Sequence, residues 1–279
     1  MGAAEVRALL ARHGLRAHRS RGQNFLVDEG LAARLVELAG VAPGEAVIEV
    51  GTGLGVLTRA LAARAAHVVT LEVDAGLVRA LRAEAALPAH VELVHADVLR
   101  ADLRALAAAT GRPTRVVANL PYSISAPVLR AILDVRDLLV DWSVMLQREV
   151  ARRLLAGPGS REWGSLGVLH RLLVRVERRL ELPAGCFEPV PRVRSSFVRI
   201  SPLPEPLLAP GELAEVEALV RRAFGKRRKT LANALGTAAP PEAIRRALER
   251  VGIEPRARAE QLAAASFVSL ARALRGAAA

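Results

Sequence analysis

Gly51, Gly53 and Gly55 stand in EVGTGLGVLT (49–58), between an apolar run and a helix-like stretch. Glycines at such a junction let the backbone turn sharply and come close to a ligand. The spacing is G-x-G-x-G, not the G-x-G-x-x-G of dinucleotide folds, and no phosphate cradle is evident at the helix start. A plain tight turn would also use these glycines. Glu72 closes the next Val-rich run, about 20 residues on, where a carboxylate can accept both hydroxyls of a ribose. Asp97 closes the run after that and can accept from an adenine amine. Either acid could instead cap the helix that follows it, and Asp74 competes with Glu72. A fourth run ends in Asn119-Leu120-Pro121-Tyr122, which alone could be a proline turn. Scarce residues gather in these segments: Asn occurs only at 24, 119 and 233, and Tyr122 is the sole tyrosine.

Positioning these groups requires strand ends that converge. AVIEVG (46–51), HVVTLEV (67–73), VELVHADV (91–98) and TRVVANLPY (114–122) read as strands, each followed by helix-compatible sequence. WSVMLQREV (142–150) reads as a strand passing into a helix. Such alternation predicts a parallel sheet with helices on both faces, in which ligands sit at the carboxyl ends of the strands. RLLVRVERRLELP (171–183) and SSFVRISP (195–202) read as two later strands that could pair antiparallel and close one edge. PLPEPLLAPGE (202–212) carries four prolines and reads as a linker. Helical patterns follow to the end, so the expected division is residues 1–205 and an all-helical domain of residues 206–279.

The charge balance is 40 − 28 = +12, with a pI near 11.4. That favours a polyanionic partner, nucleic acid first, although a GC-rich composition would also enrich arginine. Cys186 is the only cysteine, which excludes an intramolecular disulfide and a cysteine metal cluster and fits a cytoplasmic protein. The six histidines are scattered, so no metal is expected. Charges interrupt every apolar run before it could cross a bilayer. Glu5 and Arg7 break the start of the chain, which reads as a solvated helix rather than a signal peptide. GKRRKT (225–230) holds the only two lysines, Lys226 and Lys229, around Arg227 and Arg228. It reads either as a solvated helix face or as a phosphate contact opening a helix.

Taken together, five segments resemble the rRNA adenine dimethyltransferases. NLPY is similar to the [DNS]-P-P-[YF] motif of amino-methyltransferases in the form that this family uses. RGQNFL (21–26) resembles its N-terminal box, and EVGTGLGVLT its cofactor loop, with Thr52 where many members have proline. CFEPVPRVRSSF (186–197) resembles its F-x-P-x-P-x-V-x-S segment, and AFGKRRKTLANAL (223–235) its basic C-terminal signature. These segments run in the family's order from residue 21 to 235. The agreement is strongest with the bacterial small-subunit branch.

The resemblance implies an α/β fold, a Rossmann-like class I methyltransferase domain with a small helical C-terminal domain. It implies S-adenosylmethionine as cofactor, held by Asn24, Leu26, Gly51, Gly53, Glu72, Asp97 and Asn119. Asn119 and the Leu120 carbonyl would accept the hydrogens of an adenine N6 amine beside Pro121, with Tyr122 and Phe187 against the base. The expected substrate is a pair of adjacent adenosines in the 3′-terminal hairpin loop of 16S rRNA, each dimethylated, within the 30S subunit or its precursor. Lys226, Arg227, Arg228 and Lys229 would meet RNA, and the chain would act as a monomer in the cytoplasm, away from membranes. Two alternatives stand beside this: a large-subunit 23S rRNA adenine dimethyltransferase, and a non-catalytic ribosome-assembly or transcription factor of the same fold. The leucine of NLPY and the basic tail favour the small-subunit enzyme over the first, and the intact NLPY motif argues against the second.

Overall fold

The computed structural model describes residues 1–18, 22–209, 211–226, 229–236 and 239–278. Its strands are β1 (Phe25–Leu26), β2 (Ala46–Val50), β3 (His67–Glu72), β4 (Val91–His95), β5 (Thr114–Asn119), β6 (Leu139–Gln147), β7 (Val174–Leu182), β8 (Phe187–Glu188) and β9 (Ser195–Pro202). Its α-helices are α1 (Ala3–Arg12), α2 (Glu29–Ala39), α3 (Val56–Ala62), α4 (Ala75–Ala83), α5 (Leu103–Ala109), α6 (Ser125–Asp134), α7 (Arg148–Leu155), α8 (Ser165–Leu173), α9 (Leu213–Gly225), α10 (Leu231–Leu235), α11 (Pro241–Arg250) and α12 (Ala264–Ala278).

Seven strands form one sheet in the order β4-β3-β2-β5-β6-β9-β7, and β1 pairs with β8 in a separate two-stranded ladder. Strands β2 to β6 run parallel, and β9 joins β6 antiparallel. This is the expected mixed α/β architecture. Every residue of β2 is buried, as a strand covered by helices on both faces demands. The outer strand β4 is only partly buried and stops at His95, because Asp97 already bends the chain away. The two late strands are neighbours at the other edge, but residues 171–173 of the first complete α8.

The chain separates into two compact units, Met1–Ala151 with Glu177–Pro202 and Arg152–Val176 with Leu203–Ala279. A single division after residue 205 therefore differs from the contact pattern. Residues 152–176, bearing α8, pack with the later helices, and the chain returns to the sheet before the proline-rich stretch. Within the second unit Trp163 is fully buried and donates to the Leu262 carbonyl at 3.0 Å. The rings of Phe224 and Phe267 lie 5.8 Å apart there.

Two local expectations are corrected. Helix α1 is not simply solvated: Val6 and Leu10, one turn apart, are buried against Phe25, Leu54 and Leu77. The basic run does not open a helix either. Lys226 is the C-cap of α9, Lys229 lies in a bend, and Thr230 caps α10 by accepting from the Asn233 N–H. Arg227 and Arg228 lie outside the described residues. Among the described residues no helix is long and apolar enough to cross a membrane.

Candidate active site

The carboxyl ends of β2, β3 and β4, with the turn after β5, enclose a cavity of about 320 Å³, within the size range of small-molecule sites. The glycine segment forms its floor. Gly53 has φ +57°, and a Cβ there would lie 3.1 Å from the Phe25 ring, so both backbone and space require glycine. Gly51, at φ +85°, donates its N–H to the Leu71 carbonyl at 2.8 Å and ties the loop to β3.

Glu72 is 5% exposed and lines the cavity. Its Oε2 accepts from the Gly53 N–H and its Oε1 from the Asp74 N–H, both at 2.9 Å. Burial pushes its pKa up, against the pull of these backbone donors. Asp74, its rival in the sequence, is occupied as the N-cap of α4, where Oδ1 accepts from Gly76 and Leu77. Asp97 also lines the cavity. It stabilises its own turn, with Oδ1 accepting from the Leu99 N–H at 3.0 Å, while Asp102 caps α5.

Asn119, at the end of β5, donates from Nδ2 to the Asn24 carbonyl at 2.9 Å. A carbonyl can only accept, so this contact fixes the amide orientation and leaves Oδ1 as the acceptor. Asn24 in turn donates to the Gly22 carbonyl at 3.0 Å and lines the cavity, as does Pro121. The Leu120 side chain is buried in the core, so its backbone is the part that can meet a substrate. Tyr122 is half-buried, and its hydroxyl meets Ser195 Oγ at 2.6 Å.

Five expected site residues, Leu26, Asn119, Leu120, Tyr122 and Phe187, are not among those that line the cavity. Leu26 and Phe187 face each other across the β1–β8 ladder, and both are buried in the core beside Leu35 and Val36. Successive strand side chains point to opposite faces, so Phe25 meets the cavity while Leu26 turns inward. Phe187 at 1% exposure presents no free ring face to a base. Sequence reasoning also missed Gln23 and two exposed apolar residues of the cavity lining, Val73 and Leu99, at 51% and 43%. Nothing in the sequence separates Phe25 from Leu26, because a two-residue strand shows no period. Val73 and Leu99 carry no signal either, because each is a single apolar residue just past a strand end.

Glu49 lies beneath the glycine loop, fully buried. Its Oε2 accepts from the Thr58 and Thr70 hydroxyls, each at 2.6 Å, and Thr70 is also 2.7 Å from the Thr52 hydroxyl. Burial raises its pKa to about 8, opposed by the two threonine hydroxyls and reinforced by the charge of Glu72.

The model of a family described as ribosomal RNA adenine dimethylase matches residues 14–275. A protein of Geobacter metallireducens, named ribosomal RNA small subunit methyltransferase A, is 43% identical over 265 residues, covering 94% of this chain and 96% of its own. The solved 23S rRNA methyltransferase ErmE is 28% identical with a TM-score of 0.67, covering 90% of this chain and 100% of that one. A dimethyladenosine transferase from Plasmodium falciparum shares the fold at 23% identity, with a TM-score of 0.73 over 88% of this chain and 95% of its own.

Proposed function

Because the chain belongs to the ribosomal RNA adenine dimethylase family, we propose that it transfers methyl groups to the N6 amines of two adjacent adenosines in the 3′-terminal hairpin loop of 16S rRNA, during biogenesis of the 30S subunit. The near full-length relative named for the small subunit supports that substrate over 23S rRNA. The observation that carries the chemistry is the Asn119 amide, turned by the Asn24 carbonyl so that Oδ1 is its acceptor.

S-adenosylmethionine fits the cavity on two counts: backbone without side chains at Gly51 and Gly53, and a carboxylate at Glu72 suited to paired hydroxyls. When bound it supplies a methyl group already activated on a sulfonium, so no strong base is required. Glu72 would hold the ribose, and Asp97 with Asn24 would complete the cofactor contacts. The exocyclic amine of adenine is a poor nucleophile, since its lone pair is delocalised into the ring. Asn119 Oδ1 and the Leu120 carbonyl would accept its two hydrogens and favour a pyramidal nitrogen. Those contacts strengthen as positive charge develops there, which is when they accelerate the reaction. The Tyr122 ring would stack on the extruded base, and its bond to Ser195 would set the ring plane. Phe187 has no part in this account.

The lysines flanking the basic run, with Arg227 and Arg228, would contact RNA phosphates. The protein would work as a monomer in the cytoplasm. The deciding experiment incubates it with methyl-labelled cofactor and unmethylated 30S particles or 50S precursors, then maps the labelled base. Label at paired 16S adenosines is expected. Label on 23S rRNA would move the substrate to the other subunit, and none on either would return the chain to an assembly role.

A further inference from the structure

Helix α1 supplies none of the groups invoked above, yet it packs directly behind the cavity wall. Val6 and Leu10 bury with Phe25, Leu54 and Leu77 in one cluster. Phe25 and Leu77 line the cavity, and Leu54 sits between Gly53 and Gly55. Polar ties fasten the same segment at three further places. Arg7 pairs with Glu188 of β8 at 2.9 Å. Arg12 and His13 meet Glu84, at the end of α4, at 2.9 and 2.8 Å. Past the helix, Leu15 packs so closely on Gly76 that a Cβ there would lie 2.5 Å from it. Gln23, another cavity residue, accepts from the His18 N–H at 2.8 Å and reaches Asp74 at 3.4 Å.

We propose that α1 is a positioning element for the cofactor: Val6 and Leu10 hold the apolar wall that Phe25 and Leu77 present to the cavity, so that docking of α1 and binding of S-adenosylmethionine are coupled. This rests on the reading of the cavity as the cofactor site. The coupling follows from the shared cluster. If α1 leaves, Phe25 and Leu77 lose their backing, and only the docked fraction of molecules offers the complete wall. Apparent affinity falls by that fraction. Linkage is reciprocal, so bound cofactor must also hold α1 down.

The test is made on the full-length protein with S-adenosylmethionine as probe. Calorimetry gives Kd, and hydrogen exchange of the α1 amides is followed with and without the cofactor. In wild type, cofactor should slow exchange in α1. In Val6→Ala/Leu10→Ala, α1 should exchange faster and Kd should rise about tenfold, the result of a docked fraction near one in ten. A second pair keeps the question open to refutation if the double variant fails to fold. Arg7→Glu should raise Kd about two- to fivefold, and adding Glu188→Arg should restore it. Wild type that binds no S-adenosylmethionine would remove the cofactor reading itself. Wild-type binding together with an unchanged Kd in a variant whose α1 exchanges faster would overturn the coupling alone.

Discussion

Glu72 is held by backbone N–H groups from two elements, so its orientation is a property of the loop rather than of its own rotamers. Glu72→Ala should weaken S-adenosylmethionine binding by about 1.5–3 kcal/mol, the range for hydrogen bonds to charged groups, and leave RNA affinity nearly unchanged. Calorimetry with unaltered cofactor affinity would take Glu72 out of the site. Asn119→Ala should instead lower the methyl-transfer rate far more than it weakens RNA binding, because its contacts strengthen as charge develops. At Tyr122 the hydroxyl and the ring are separable. Tyr122→Phe leaves buried Ser195 without this partner, at a cost to stability of about 1 kcal/mol, and should keep much of the activity. Tyr122→Ala should lose most of it. Equal inactivity of the two variants would assign the hydroxyl a role in the reaction. Among single residues, Glu72 and Asn119 were legible in position because each ends a recognisable strand, whereas Asp97 lies two residues past the end of β4. Phe25 was not distinguished from Leu26, and Phe187 was misplaced, because their faces are set by a two-residue ladder between segments distant in sequence. Two residues are too few to show a period.

Glu49 braces three elements beneath the glycine loop: β2, which carries it, α3 through Thr58, and β3 through Thr70. Arg59 and Glu72 are the charged groups that act on it most. Its pKa in the fold is about 8 against an ordinary 4.5, so the folded chain binds this proton more tightly than the unfolded one. The stabilisation from that proton is complete below about pH 4.5 and is lost as pH rises through 8, by roughly 1.4 kcal/mol for each pH unit crossed between them. Glu49→Gln mimics the protonated form. Its thermal midpoint should gain on that of wild type as pH climbs from 5 to 8; a difference that stays flat over this interval would mean that Glu49 is ionised in the fold. The parallel strands and their order of use could be read from the sequence, since buried strands are continuous apolar runs. The docking of α1 could not. Two aliphatic residues one turn apart suit a solvated helix as well as a packed one, and their partners lie in three other segments. The excursion of residues 152–176 into the helical unit was equally hidden, because it leaves no mark of composition.

The basic run of residues 226–229 bears on association with RNA as a whole. Replacing Lys226, Arg227, Arg228 and Lys229 with Gln should weaken binding to the small-subunit particle and flatten the plot of log affinity against log salt. Each phosphate that the protein ceases to neutralise should change the slope by about 0.7–0.9. Cofactor affinity should stay the same, and an identical slope in a salt titration would return the run to the solvent. The net charge of +12 foretold a polyanion but could not say which surface meets it. The outermost strand β7 bears on a different kind of association. It carries Arg175, Glu177, Arg178, Arg179 and Glu181 within nine residues, and the three arginines are exposed. A second chain seeking to extend the sheet there would have to desolvate guanidinium and carboxylate groups to reach the backbone. Those charges therefore disfavour edge-to-edge addition of another chain along β7.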